Sequence, residues 1–220
     1  MRSRTLLVIL LTFAAGSAWA QEVRRAGKGE FYVSPIFTDG KTYNFSGGST
    51  ARTDTGFGLA MGYTFNLDDK VSIGGEFSWG EADYRATVQP GPGNSLGIQS
   101  INASIETWTV RFLGNYNFSR NAFTPFVSGG LGWTSIDTNI PTGLPQNVCW
   151  WYPYWGQYCG TYVPTATTTK FSYNANVGLR YDFGNTGFVR GQVGWQWVDF
   201  GGSYGSDQWT QYRLDFGAKF

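Results

Sequence analysis

The first residues in this sequence whose type and spacing could do chemistry are two cysteines, Cys149 and Cys159, which bound the segment CWWYPYWGQYC. Two cysteines this close together favour a disulfide if the chain is exported. A metal site is the alternative interpretation, but the chain has no histidine, and two thiolates alone do not complete a tetrahedral site. We therefore expect a disulfide, and neither a metal ion nor a cofactor.

Other groups that could support catalysis are missing or have a simpler explanation. The absence of histidine removes the usual general base of serine and cysteine hydrolases. The adjacent carboxylates Asp68 and Asp69 fall in the short segment LDD, where a solvated turn explains them. The sequence shows no nucleophile with a partner base and no phosphate-binding loop. It predicts that the protein is not an enzyme.

The first twenty residues have the organisation of a secretory signal peptide. Arg2 and Arg4 precede the apolar run LLVILL, and small residues at Ala18 and Ala20 mark a cleavage site before Gln21. The apolar run is too short for a transmembrane helix. We expect residues 21–220 to form one exported domain. Because Arg2 and Arg4 belong to the signal peptide, the exported domain is nearly neutral, which argues against nucleic acid as a partner.

The composition is unusual for a protein surrounded by water. Aromatic residues make up 18% of the chain and charged residues only 14%, against roughly 25% charge in typical soluble domains. A strict alternation of apolar and polar residues explains the high aromatic and low charged content. In KFSYNANVGLRYDF, residues 170–183, one face is aromatic and aliphatic and the other is polar, which predicts a strand. Residues 56–67 and 212–220 show the same pattern.

Weaker alternation brings the predicted strands to eight. The five further segments are 29–39, 70–86, 101–118, 123–137 and 187–201. Short turns at 68–70, 119–122 and 184–187 alternate with mostly longer links at 40–53, 87–100, 138–168 and 202–206. This pattern predicts an all-β fold, an eight-stranded antiparallel up-and-down transmembrane β-barrel. The alternative is a soluble barrel or sandwich, which would turn its apolar face inward.

Side-chain size and charge favour the membrane barrel. Small residues fit the narrow interior of eight strands, whereas the apolar faces carry Trp79, Trp108, Trp133, Trp195 and Trp197. An arginine facing lipid costs about 2–4 kcal/mol at the bilayer midplane. The residues predicted to form an ion-pair network in the lumen are Glu76, Arg111, Arg180, Asp182, Arg190, Arg213, Asp215 and Lys219. Such a network favours a closed barrel, with a gated ion path as the alternative.

Charges also interrupt the apolar faces. Glu81, Asp83, Arg85 and Glu106 continue the faces that carry tryptophan. Because a spanning strand needs only about 9–11 residues, we expect these strands to project beyond the bilayer.

The segments FTPFVSGGLGW, VGLRYDFGNTGFVRGQVGWQWVDFGG and YRLDFGAKF resemble the small eight-stranded outer-membrane β-barrel family of Gram-negative bacteria, which includes the OmpA transmembrane domain, OmpX and the opacity proteins. The resemblance implies long links outside the cell and both termini in the periplasm. It implies contact with outer-membrane lipid and lipopolysaccharide. Because the sequence stops at the last predicted strand, we expect no peptidoglycan-binding domain of the kind that follows the barrel in OmpA. The resemblance also implies that the assembly machinery reads alternate C-terminal residues, here Tyr212, Leu214, Phe216, Ala218 and Phe220. We expect a monomer.

The remaining question is what the longest link does. The rings between the cysteines belong to Trp150, Trp151, Tyr152, Tyr154, Trp155 and Tyr158. They form either an adhesin-like surface for a host or surface ligand or a lid packed over the barrel mouth. A structural or surface-interaction role is therefore predicted, without catalysis. The alternative is a narrow channel or passage for small polar or apolar solutes, favoured by an apolar stripe at Ile101, Ala103 and Ile105.

Overall fold

The structure is a computed structural model of the 220-residue chain. It describes residues 22–44, 48–89, 99–141, 143–144, 146–152, 156–162, 164–201 and 206–220. The predicted signal peptide and its cleavage site before Gln21 lie outside the described residues. Within the described part of the chain, no helix is long and apolar enough to cross a membrane.

Eight long strands close into an antiparallel barrel, as predicted. Each barrel strand pairs with the next barrel strand along the chain, and the last pairs with the first to complete the circle. The strands are β1 Gly29–Thr38, β2 Thr42–Asn44, β3 Thr50–Thr53, β4 Gly56–Asn66, β5 Val71–Val88, β6 Gln99–Asn117, β7 Phe123–Pro141, β8 Gln146–Tyr152, β9 Gly156–Tyr162, β10 Thr165–Phe183, β11 Gly187–Asp199 and β12 Ser206–Lys219. The barrel consists of β1, β4, β5, β6, β7, β10, β11 and β12.

Two short hairpins lie outside the barrel circle, and sequence reasoning missed both. The β2–β3 hairpin continues β1 and β4, and β3 pairs with the far end of β5. The β8–β9 hairpin forms a separate two-stranded sheet in which Cys149 lies directly opposite Cys159. The described residues within 149–159, which the sequence assigned to the long link 138–168, therefore lie in a hairpin within that link. β8 carries Trp150, Trp151 and Tyr152 at consecutive positions, so its sequence shows no alternation of apolar and polar residues.

The two ends of the barrel differ, and we name them by their connections. The turn end has the short connections 67–70, 118–122 and 184–186 and both described chain termini; the loop end has the long links and the two hairpins. Asp68 closes the first turn by accepting hydrogen bonds from the backbone N–H groups of Lys70 at 2.6 Å and Val71 at 2.7 Å. This is the solvated turn that the sequence predicted.

The outer face of the barrel is apolar, and the inner face is mostly polar. In β4 the residues from Phe57 to Phe65 alternate strictly between exposed apolar side chains and buried small ones. The predicted tryptophans take the outer face and pair across strands: Trp79 packs near Trp108 at 6.2 Å, and Trp197 stacks on Tyr173 at 5.2 Å. The outer face also carries Tyr212, Leu214, Phe216 and Ala218 of β12, with Phe220 just beyond it.

Three aromatic rings lie inside the barrel, so the expectation that only small or charged residues fill the lumen was wrong there. Tyr32, Phe126 and Phe188 are each at most 2% exposed. Each ring lies against a glycine of a neighbouring strand, and a Cβ atom on that glycine would come within 3.0 Å of the ring. These glycines are Gly62 against Tyr32, Gly178 against Phe126 and Gly217 against Phe188. The missing side chains make the space that the rings fill.

Candidate functional site

Buried ion pairs fill the barrel nearest the turn end. Arg180 on β10 donates to both oxygens of Glu30 on β1, at 3.0 and 2.6 Å, and also to Asp182, at 2.8 Å. Lys219 donates to the same Asp182 at 2.7 Å. Since all four side chains are at most 1% exposed, the charges stabilise one another where water does not reach them.

An arginine from the segment before β1 covers these ion pairs at the turn end. Arg25 is fully buried and donates to Asp182 at 2.6 Å and to the backbone carbonyls of Ser119 and Asn121. Asp69 in turn accepts hydrogen bonds from the backbone of Arg25 and Ala26, at 2.8 and 3.0 Å. The N-terminal segment therefore crosses the turn end and connects the turns. Sequence reasoning missed Arg25 and Glu30 because neither lies in a strongly alternating segment.

A second set of ion pairs fills the middle of the barrel. Glu76 on β5 accepts from Arg213 on β12 at 3.0 Å, from Tyr32 at 2.8 Å, and lies 3.3 Å from Arg111 on β6. Arg190 on β11 pairs with Asp215 at 2.9 Å. The Arg190 guanidinium also lies over the buried rings, 4.6 Å from the Tyr32 ring centroid and 5.0 Å from that of Phe188, a cation–π arrangement that adds to its stabilisation.

A layer of hydroxyl and amide groups follows toward the loop end. Thr134 on β7 donates a hydrogen bond of 2.9 Å to Ser172, shares one of 2.9 Å with the Thr109 hydroxyl, and accepts one of 3.0 Å from Gln196. Gln211 connects to Gln196 at 3.0 Å. All of these groups are buried. We call the filled lumen, from Asp182 to Thr134, the bore.

Beyond the bore the interior opens into a cavity of about 900 Å³, which we call the vestibule. Its apolar lining comes from the inward face of the strands near the loop end, namely Ile36, Ala82, Ile105, Ile136 and Trp209, and from Phe200 just after β11. The polar lining includes six threonines and two glutamines, among them Thr107, Thr168 and Gln196. Charged residues also line the cavity, namely Asp39, Lys41, Asp54, Glu81, Lys170 and Asp207. Short or apolar side chains thus leave a space where the bore has ion pairs.

Side chains fasten the β2–β3 hairpin to β12 along one side of the vestibule. Asp207 accepts hydrogen bonds from Lys41 and Tyr43, and from the Trp209 indole at 2.9 Å. Burial alone would raise the pKa of the Asp207 carboxyl, but its bonds with Lys41 and Tyr43 outweigh burial and hold that pKa below the usual range. We call this group of four residues the fastening cluster.

The structure brings all eight predicted lumen residues into the bore, where their side chains point inward and are buried. They are Glu76, Arg111, Arg180, Asp182, Arg190, Arg213, Asp215 and Lys219. Of the predicted apolar stripe, Ile105 lines the vestibule, while Ile101 is 42% exposed. The interrupting charges Glu81 and Asp83 are exposed on the part of β5 beyond Trp79.

The disulfide between Cys149 and Cys159 is formed. Of the aromatic residues between them, Trp151 is 72% exposed, on strand β8. Tyr154 and Trp155 lie outside the described residues, as do the side chains of Trp150, Tyr152 and Tyr158. In the described part of the chain, no group of three or more Cys, Asp or Glu side chains could hold a metal ion.

A closed antiparallel barrel with a polar, filled bore and an apolar outer face is the architecture of a transmembrane β-barrel. The chain belongs to the outer membrane protein beta-barrel domain family, whose model matches residues 6–220. It is therefore a protein of the Gram-negative outer membrane. Among curated proteins, none matches this chain.

Solved outer-membrane barrels have a similar structure at low sequence identity. OprG from Pseudomonas aeruginosa is 13% identical, with coverage of 91% of this chain and 99% of that one and a TM-score of 0.55. The N-terminal barrel domain of OprF from the same organism is 16% identical, with coverage of 89% and 98% and a TM-score of 0.45. Ail of Yersinia pestis, solved with the heparin analogue sucrose octasulfate, is 11% identical, with coverage of 89% and 99% and a TM-score of 0.46. At this identity the likeness concerns the fold alone.

Proposed function

We propose that this protein is a non-catalytic, non-conducting outer-membrane barrel that binds a small, largely apolar molecule in its vestibule. In this proposal the loop end faces the outside of the cell, and the turn end and both termini face the periplasm. The observation that carries it is the position of a 900 Å³ cavity directly above a filled bore. Its volume is in the range of small-molecule sites, about 300–1,000 Å³, and the surface that lines it is mostly apolar, as is typical of them.

The bore argues against steady passage of ions. An ion entering from the vestibule meets the buried Thr134 layer and then the Glu76–Arg213 pair. Removing one partner of a buried pair is strongly unfavourable, so the pairs oppose opening. Planar-bilayer recordings of the folded protein should show no large, steady conductance. A continuously open pore would contradict the closed bore.

A matched pair of tryptophan substitutions tests binding in the vestibule. Thr168 lines the vestibule, and its neighbour Thr169 is exposed on the other face of β10. We expect wild-type protein in nanodiscs to bind hexanol, by isothermal titration calorimetry, more strongly than empty nanodiscs do. Thr168→Trp should abolish this binding because the indole fills the cavity, and Thr169→Trp should retain it. Equal heats from loaded and empty nanodiscs would refute the proposal.

A second candidate function is adhesion through the disulfide-bonded hairpin. Trp151 exposes most of its ring, and exposed aromatic residues are common at recognition surfaces. Bacteria that carry Trp151→Ala should adhere less to host cells than wild type does. Leu144→Ala is the control, because Leu144 is 83% exposed but lies before the hairpin. Unchanged adhesion of Trp151→Ala would remove this candidate.

A further inference from the structure

Lys170 is a cation that lines the vestibule and has no partner among the described residues. It lies on the inward face of β10, two residues before the buried Ser172, and lines the cavity. Its cross-strand neighbour is Thr134, the centre of the layer that closes the bore. Among the described residues, no side chain or carbonyl forms an ion pair or hydrogen bond with the Lys170 ammonium. The lysines and arginines of the bore, by contrast, are paired with acids.

We propose, on the basis of the function proposed above, that the vestibule takes a monocarboxylate with an apolar tail, whose carboxylate binds Lys170. The ammonium group offers three donors. Thr168 adds a hydroxyl on the same face of β10, one alternation nearer the loop end. The tail then extends toward the loop end along Ile136 and Ile105. The head thus meets the floor of the cavity, and the tail meets its apolar wall.

The acids around the vestibule restrict the ligand to a single negative charge. Asp207 is neutralised by Lys41, and Asp54 lies 3.7 Å from Arg52. Asp39 is exposed at the rim, and Glu81 is exposed on the barrel wall. One unpaired lysine therefore balances one carboxylate, whereas a phosphate dianion would leave a charge uncompensated near these acids.

A series of three probes with the same tail tests the head group. Hexanoate, hexanol and hexylammonium are titrated at neutral pH into the protein in nanodiscs, with empty nanodiscs as the blank. We expect hexanoate to bind wild type about tenfold more tightly than hexanol, which is the size of effect that a hydrogen bond to a charged group gives. Lys170→Gln should remove this preference without weakening hexanol, and Lys170→Arg should keep it.

Arg85→Gln is the matched control. It removes one positive charge from the loop end of β5, where Arg85 is exposed, donates to Asn102 and does not line the vestibule. It should leave the hexanoate preference unchanged, and heat-modifiable migration should verify folding of every variant. Equal binding of hexanoate and hexanol, or tighter binding of hexylammonium, would overturn the carboxylate proposal while the vestibule function stands. Failure of all three probes would overturn both.

Discussion

The bore and the vestibule are built from the same barrel wall, yet one is filled and the other is open. On β6, Arg111 points into the bore, and Thr107, four residues toward the loop end on the same face, lines the vestibule. On β10, Arg180 likewise points into the bore, and Thr168 lines the vestibule. An eight-stranded barrel has a nearly constant diameter, so the volume of the inward side chains decides whether its lumen is closed. Closure is therefore a property of the side chains at each level, and the fold alone does not determine it.

The two regions also differ in how charge is held. In the bore, Arg180 and Arg213 each meet acids from other strands with almost no exposure. At the vestibule, the fastening cluster is partly solvated, because Lys41 is 41% exposed. Water screens exposed pairs and reduces their contribution. Substitutions in the bore should therefore change the stability of the whole barrel, and substitutions at the vestibule should act locally.

The largest effect is expected from Arg180→Met. This change leaves Glu30 buried with only Asn66 as a hydrogen-bond donor among the described residues, and an uncompensated buried charge costs about 3–5 kcal/mol. The free energy of unfolding, measured by urea titration of the refolded barrel, should fall by that amount. Binding of hexanol in the vestibule should not change.

The double variant Glu30→Gln with Arg180→Met is the control for this prediction. Removing both charges takes away the unpaired carboxylate, so part of the lost stability should return. A loss below about 1 kcal/mol in the single variant would show that the ion pairs do not hold the bore together. The proposed difference between bore and vestibule substitutions would then be wrong.

A smaller effect is expected from Arg25→Ala. Asp182 keeps Arg180 and Lys219 as partners, so the loss is mainly that of hydrogen bonds to a charged group, about 1.5–3 kcal/mol. The N-terminal segment should become accessible to added protease. Arg24→Ala is the neighbouring control, because Arg24 is exposed, and it should change neither measurement. Equal behaviour of both variants would mean that Arg25 does not hold the segment.

Asp207→Asn should loosen the β2–β3 hairpin without unfolding the barrel. Because the pair with Lys41 is screened, we expect a change of at most about 1 kcal/mol, seen as up to about fivefold faster amide exchange in Thr42–Asn44. The lowered pKa of Asp207 means that its contribution is present above the unfolded value near 3.9 and is lost as pH falls through the lower folded pKa.

The same measurement as a function of pH checks the sign of this effect. After correction for intrinsic exchange rates, wild type should be unchanged from pH 7 to about pH 5 and should loosen only below about pH 4. Asp207→Asn should show no such dependence. A loosening of wild type as pH rises would contradict the assignment to Asp207.

The smallest effect on the barrel is expected from replacing both cysteines by serine. The β8–β9 hairpin forms its own two-stranded sheet, and its described residues share no strand pairing with the barrel. The urea midpoint of the barrel should therefore stay the same within error, while amide protection within Gln146–Tyr152 decreases. A clear fall in the barrel midpoint would show that the hairpin packs on the barrel.

The strongest sequence signal predicted the barrel correctly. Alternation in residues 56–67 and 170–183 predicted both the strands and their outward faces, because lipid and a narrow lumen select opposite side chains at successive positions. The two accessory hairpins were missed. β2 and β3 have only three and four residues, which is too short to show alternation, and β8 carries three consecutive aromatic residues. The rings of Tyr32, Phe126 and Phe188 were also not predicted to lie inside, since the glycines that admit them are on other strands.

The amino-acid sequence by itself determined the number of long strands, the face that each turns to lipid and the charged residues that face inward. These features depend on neighbours along the chain and on the period of two. The tertiary structure alone decided which charges meet, that Arg25 closes the turn end, and that Lys170 faces a cavity in which no described residue pairs with it. Such features arise from residues that are far apart in sequence and come together only when β12 pairs with β1 and the barrel closes.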